Sequence, residues 1–238
     1  MGSGPSKRWL SVGTLVLAVI ALLAAARASF VMIYMNLVFQ DEFDPVTTPL
    51  SYYVLVDGGG QMFTSAAVAL AVGVLAVLLG MARAGVRLAG RPTVLFAVWA
   101  LCLVLSAVFP IDDAPVIMTV AGWVHQFAGA GILAILSFAG LAAAPRLAEN
   151  PSWRPIVGTV RTLSIGAAVL AAAYIVSRLD DVFPGVFGNV EIGGFLQRGV
   201  LAFDIAVVTA LAVQLVRVSW PAVHARAAPA PTNGTFLA

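Results

Sequence analysis

Six uninterrupted apolar runs constrain this chain more than any other feature. They lie near Trp9–Leu37, Gly59–Met81, Thr93–Phe109, Val116–Ala143, Ile156–Ser177 and Gly199–Val218. A helix of roughly 17–25 residues crosses the hydrocarbon core of a bilayer, and each run reaches that length. The runs are continuous and rich in Ala and Leu rather than alternating, which argues against barrel strands. Inside lipid a helix satisfies its own backbone N–H and C=O groups, so each run is expected to be a transmembrane helix. Composition agrees: 61% of residues are hydrophobic and 10% charged, against about 45–50% and about 25% in soluble domains. A formal charge of +2, without a basic aromatic patch, leaves no footprint for a nucleic acid. A single cysteine, Cys102, excludes an intrachain disulfide.

Basic residues fall on alternate connections. Lys7 and Arg8 precede the first run, Arg83, Arg87 and Arg91 lie in the second connection, Arg146 and Arg154 in the fourth, and Arg217 and Arg226 flank the sixth run. The other connections carry Asp41, Glu42, Asp44, Asp57, Asp112, Asp113, Asp180, Asp181 and Glu191, against Arg178 and Arg198. The positive-inside rule places the basic connections in the cytoplasm. The expected fold is therefore all-α: a polytopic membrane bundle of six transmembrane helices, N-in/C-in. It divides into a cytoplasmic tail 1–8, a transmembrane domain 9–218 and a disordered cytoplasmic tail 219–238, whose Ala, Pro, Thr, Asn and Gly residues show no apolar period. Lys7-Arg8, the apolar run and Ala26-Arg27-Ala28 also have the form of a secretory signal with its cleavage site. The length of that run, and the hydrophobicity that resumes at Phe30, favour a retained span.

Polar groups within spans are costly, at least about 2.5–3.5 kcal/mol for a charge at mid-membrane. Arg27 in the first span and Asp204 in the sixth lie at similar depths, so an ion pair between them is expected if their helices touch. Gly122, His125 and Gly129 share one face of the fourth span, which turns His125 toward protein. Gln61 opens the second span, and Gln197 and Arg198 stand at the outer end of the sixth. The prolines of Phe109-Pro110-Ile111-Asp112-Asp113-Ala114-Pro115 restrict the turn that carries two carboxylates. Together these residues lead to the expectation of a polar, outward-opening cavity, with His125, Arg27 and Asp204 as its floor.

Several of these segments resemble a known family. Phe109-Pro110-x-Asp112, Gly122-x-x-His125 with Ala128, Pro49-Leu50-Ser51-Tyr52-Tyr53, Gly60-Gln61-x-Phe63 and Gln197-Arg198 together look like the signature of a bacterial membrane family, domain-of-unknown-function family nine-nine-eight. The resemblance runs from about Thr48 to Val218. That family is distantly similar to the FRAG/DRAM/Sfk membrane proteins, which are associated with lipid and membrane homeostasis. The resemblance implies a six-helix fold in a bacterial plasma membrane and no settled activity. It carries the family motif onto Asp112, His125 and Arg198; Arg27 and Asp204 lie outside it.

The chemistry open to these residues is limited. A catalytic zinc usually needs three protein ligands, whereas His125 is the only histidine within a span, so no metal site and no cofactor is expected. No G-x-S-x-G elbow is present. The leading expectation is a pocket that binds a membrane lipid or an isoprenoid-like hydrophobic molecule, with Gln61, Asp113, Trp123, Arg198 and Arg27 as contacts. One alternative is a metal-free intramembrane enzyme, for example a terpenoid cyclase, with Asp112, His125 and Asp204 as acid–base candidates and Tyr52, Tyr53, Trp99, Trp123 and Phe127 as aromatic walls. A small proton-coupled transporter is the other. Whether the chain is catalytic, and whether it forms a homo-oligomer, stay open at this level.

Overall fold

A computed structural model of the chain describes residues 5–86, 88–113, 117–179 and 191–224. Arg87, Asp180, Asp181 and Arg226, used above in the charge pattern, and the tail from residue 225 lie outside these described residues. Six long helices account for most of the rest: α1 (Pro5–Val38), α2 (Gly59–Arg83), α3 (Arg91–Val108), α4 (Val120–Ala148), α5 (Arg154–Ser177) and α6 (Gly193–His224). A short 3-10 helix, Leu50–Leu55, interrupts the connection from α1 to α2. Among the described residues there is no strand. Each of the six long helices is long and apolar enough to cross a bilayer, as the continuous apolar runs require.

The helices form a closed ring in chain order. Each packs against its neighbours in sequence, and α6 returns to pack against α1; α6 also leans inward to touch α2 and α4. Lipid is as apolar as leucine, so burial of apolar surface does not draw membrane helices together; close approach of small residues does. Ala18, Ala21, Ala25 and Ala28 line the buried side of α1. Gly73 on α2 has no side chain where it meets Ala24: a Cβ there would stand 2.8 Å from the Ala24 methyl. Larger buried residues, Phe96, Trp99, Leu136, Trp153 and Leu211, fill the wider gaps. Leu23, Phe30, Leu79, Phe127, Val169 and Phe195 point outward, on the surface that lipid would cover.

Asp41, Glu42, Asp44, Asp57, Asp112, Asp113 and Glu191 gather at one end of the ring, and Arg83, Arg91, Arg146, Arg154 and Arg217 at the other. These are the acidic and basic ends below. Two helix starts differ from the sequence reading for identifiable reasons. α4 begins at Val120 rather than Val116, because Thr119 caps it. α6 begins at Gly193 rather than Gly199, because Gln197 and Arg198 find partners that let them sit inside a helix. The other ends extend too: α1 begins at Pro5, and α6 continues past Pro221 to His224, so 219–224 is helical.

The Gly73 contact makes a direct prediction. Gly73→Leu should force α1 away from α2 and destabilise the folded protein by about 1–3 kcal/mol. Thermal unfolding in detergent measures this, with Gly129→Leu as the comparison, since a Cβ on Gly129 would meet nothing within 4 Å.

Candidate functional site

The acidic end is organised by two local networks. The first closes the turn between α3 and α4. Asp112 Oδ1 accepts from the Thr119 hydroxyl at 2.6 Å, and Oδ2 accepts from the backbone N–H groups of Met118 and Thr119 at 2.7 and 3.0 Å. Thr119 Oγ1 in turn accepts from Gly122 N at 3.0 Å, which caps the α4 N-terminus. Gly122 must lack a side chain, since a Cβ there would collide with the Asp112 carboxylate. His125, one turn later, meets the Phe109 carbonyl through Nδ1 at 2.7 Å. A carbonyl only accepts, so Nδ1 carries a proton in this contact.

The second network joins α6 to the α1–α2 connection. Arg198 donates from Nε to Asn36 Oδ1 at 2.9 Å, from Nη1 to the carbonyls of Thr48 and Gly194 at 2.7 and 2.9 Å, and from Nη2 to the Tyr53 hydroxyl at 3.1 Å. Gln197 Oε1 accepts from Leu50 N at 2.6 Å. Gly194 and Phe195 donate their amides to Thr47 and Val46, and a Cβ on Gly194 would strike the Thr48 carbonyl. The planar guanidinium thus ties three chain segments with one side chain.

Between these networks lies a cavity of about 550 Å³. All six long helices and the Leu50–Leu55 segment contribute to its wall. It occupies the acidic half of the ring. Its deepest residues, Ala28, Leu70, Leu133 and Ile205, are apolar. Nearer the acidic end the wall turns polar, with Ser51, Ser106, His125, Gln126, Arg178 and Gln197. Phe63 faces His125, with ring centroids 6.1 Å apart. The space is therefore amphiphilic along its length, an apolar floor beneath a hydrogen-bonding mouth.

The sequence-derived candidates fare unequally in this geometry. His125 lines the cavity. Asp112 does not; its oxygens are taken up by the turn. Arg198 is likewise engaged in its own network, and neither Gln61 nor Asp113, both exposed, belongs to the wall. Trp123 is stacked on Phe127 at 5.7 Å on the outer surface, half exposed, so it and Phe127 do not wall the cavity. Trp99 is fully buried and donates its indole N–H to the Ile132 carbonyl at 2.8 Å. The expected Arg27–Asp204 ion pair is absent: Arg27 is exposed and donates to Ser65 at 2.8 Å, while both Asp204 oxygens lack a hydrogen-bond partner. The helices do touch, but the two side chains leave α1 and α6 in different directions. The expected polar floor of His125, Arg27 and Asp204 is replaced by an apolar one. Arg178, Gln126 and Tyr174 are cavity residues that sequence reasoning passed over; their signal was a position within a few turns of an acidic helix end. Among the described residues no cluster of three metal-ligating side chains occurs.

A family model described as "Protein of unknown function (DUF998)" matches residues 22–214. No curated protein and no solved structure matches the chain.

The Asp112 turn has a pH signature. The Thr119 hydroxyl, followed by the amides of Thr119 and Met118, holds the Asp112 carboxyl below its usual range. A carboxyl lowered on folding adds stability above its unfolded value, about 3.9, and that contribution disappears as pH falls through the lower folded value. Asp112→Asn should therefore speed hydrogen exchange at Met118, Thr119 and Gly122 near pH 7, and the difference from wild type should shrink on acidification toward about pH 3. Equal exchange at pH 7 would show that the carboxylate does not hold the turn.

Proposed function

We propose that this chain, a member of the DUF998 family of proteins of unknown function, holds a lipid or an isoprenoid-like hydrophobic molecule in its central cavity. The chain is an integral membrane protein by its six apolar helices. One observation carries the reading: the 550 Å³ space has an apolar floor and a polar mouth. Ligand pockets span roughly 300–1,000 Å³ and combine an apolar lining with a few convergent polar groups. An amphiphile of this size would lay its hydrocarbon along Leu70, Leu133 and Ile205 and bring its head to His125, Gln126 and Arg178. The amide of Gln126 suits a hydroxyl or phosphate-bearing head, the His125 ring adds a polar edge at the same level, and the Arg178 guanidinium suits an anionic head.

The enzyme reading draws less support. Acid–base work on a bound molecule needs its groups within hydrogen-bond reach of that molecule. Of Asp112, His125 and Asp204, the cavity wall contains His125.

Native mass spectrometry of the purified protein, followed by organic extraction, tests the proposal. Wild type should retain close to one hydrophobic molecule per chain. Ala67→Trp places a bulky ring in the cavity from α2, where Ala67 lines the wall, and should weaken binding at least about tenfold, a loss of roughly 1.4 kcal/mol, so that a clear ligand-free fraction appears. Its membrane yield should stay near wild type, and its melting temperature should match that of wild type stripped of the guest. An empty wild-type protein, or equal retention in a folded Ala67→Trp variant, would contradict it.

A further inference from the structure

Three buried polar side chains on three successive helices share one property. Ser137 on α4, Ser164 on α5 and Asp204 on α6 have no hydrogen-bond partner, and each is almost wholly buried, at 1%, 0% and 0% exposure. Helical register puts them near one another. Leu133, Ala171 and Val200 pack together as one cluster of α4, α5 and α6. One turn further toward the basic end, Ser137 follows Leu133 on α4 and Asp204 follows Val200 on α6. On α5, Ser164 lies two turns beyond Ala171, against α4: a Cβ on Gly140 would collide with its hydroxyl. Gly140 is three residues from Ser137 and shares its face. Register thus sets two hydroxyls and a carboxyl within about two turns of one another along the seam of three helices, toward the basic end from the cavity residues Leu133 and Ile205.

No described ionic side chain offsets Asp204. Arg27 on α1 is turned to Ser65. Arg83 on α2 lies against Gly13 of α1. His125 on α4 is joined to Phe109, and Arg146 pairs with Glu149. On α5, Arg154 bonds to the Ala148 carbonyl, Arg161 is exposed, and Arg178 lines the cavity. On α6 itself, Arg198 is engaged by Asn36, Tyr53 and two carbonyls, and Arg217 is exposed at the basic end. A bare carboxylate in such surroundings is strongly unfavourable. Buried carboxylates within membranes are offset by partners and mark ion or proton pathways.

We infer that Asp204, Ser137 and Ser164 form a binding site for a sodium ion, for which a proton on the Asp204 carboxylate competes. Sodium is a hard cation that takes oxygen ligands. The carboxylate neutralises the charge, and the two serine hydroxyls turn lone pairs toward it. None of the three side chains hydrogen-bonds to another, so their oxygens are available as separate ligands. The site is independent of what occupies the cavity above it.

Melting temperatures of the purified protein in detergent test the inference, with NaCl exchanged for choline chloride or KCl at constant ionic strength between about pH 6 and about pH 8. A sodium site should raise the melting temperature by roughly 5–10 °C at about a hundredfold excess over the dissociation constant. A rise on acidification without a sodium effect is what a proton on Asp204 alone produces, and would overturn the sodium site. Asp204→Asn should abolish the sodium response. Ser137→Ala combined with Ser164→Ala, which keeps the carboxylate, should shift the midpoint by about tenfold in cation concentration, as the loss of two oxygen ligands requires. A sodium response equal in wild type and Asp204→Asn would overturn the inference. If Asp204→Asn does not accumulate, an unmoved midpoint in the double-serine variant overturns it.

Discussion

The bundle depends on how its sixth helix closes against its first. Six helices in sequence order could equally lie as an open row, and lipid would satisfy such a row's outer faces as well as it satisfies a ring's. Closure is enforced differently at the two ends. At the basic end it is steric: Gly80 on α2 admits the Leu215 side chain of α6, whose methyl a Cβ there would approach at 2.9 Å. At the acidic end it is polar. Arg198 and Gln197 bind the α1–α2 connection to α6 through side chain and main chain together. Charge-assisted bonds are stronger than neutral ones and are directional, so this corner sets where α6 sits. The cavity occupies the half of the ring that these polar contacts span, while close apolar packing fills the other half.

That division explains why the residues most suggestive of chemistry are largely architectural. Asp112, Thr119, Gly122 and His125 form a continuous chain of contacts from the end of α3 to the second turn of α4. Every carboxylate oxygen in it has a donor. Such a network fixes the entry angle of α4 and hence the orientation of Gln126, Gly129 and Leu133 toward the cavity. His125 has both roles, since Nδ1 anchors the turn and the side chain also lines the cavity. Arg198 works in the same way on the opposite wall by positioning Gln197 and Leu201.

The spans were legible because lipid imposes its demand on composition: a backbone segment in hydrocarbon must be helical and its outer side chains apolar. Helix starts were less legible where polar residues find local partners. Arg198 reads as a span boundary until its acceptors are known, and Asp112 reads as a solvated loop charge until Thr119 folds back on it. Depth was legible and direction was not. Arg27 and Asp204 lie on adjacent helices, yet helix rotation sends one toward Ser65 and the other into the protein interior, where neither carboxylate oxygen finds a partner. Periodicity identifies which residues share a face, and His125 was found by that route. It does not say which neighbour the face meets, so it does not mark Arg178 or Gln126 as part of the cavity wall.

The proposed hydrophobic guest in the acidic half of the ring should be visible in the protein itself. The experiment is a density map of the protein purified from its own membrane into a lipid nanodisc. The map should show one elongated feature running from the His125 ring down to Ile205, continuous along the apolar wall. Separate water-sized peaks, or side chains collapsed across the same space, would contradict it.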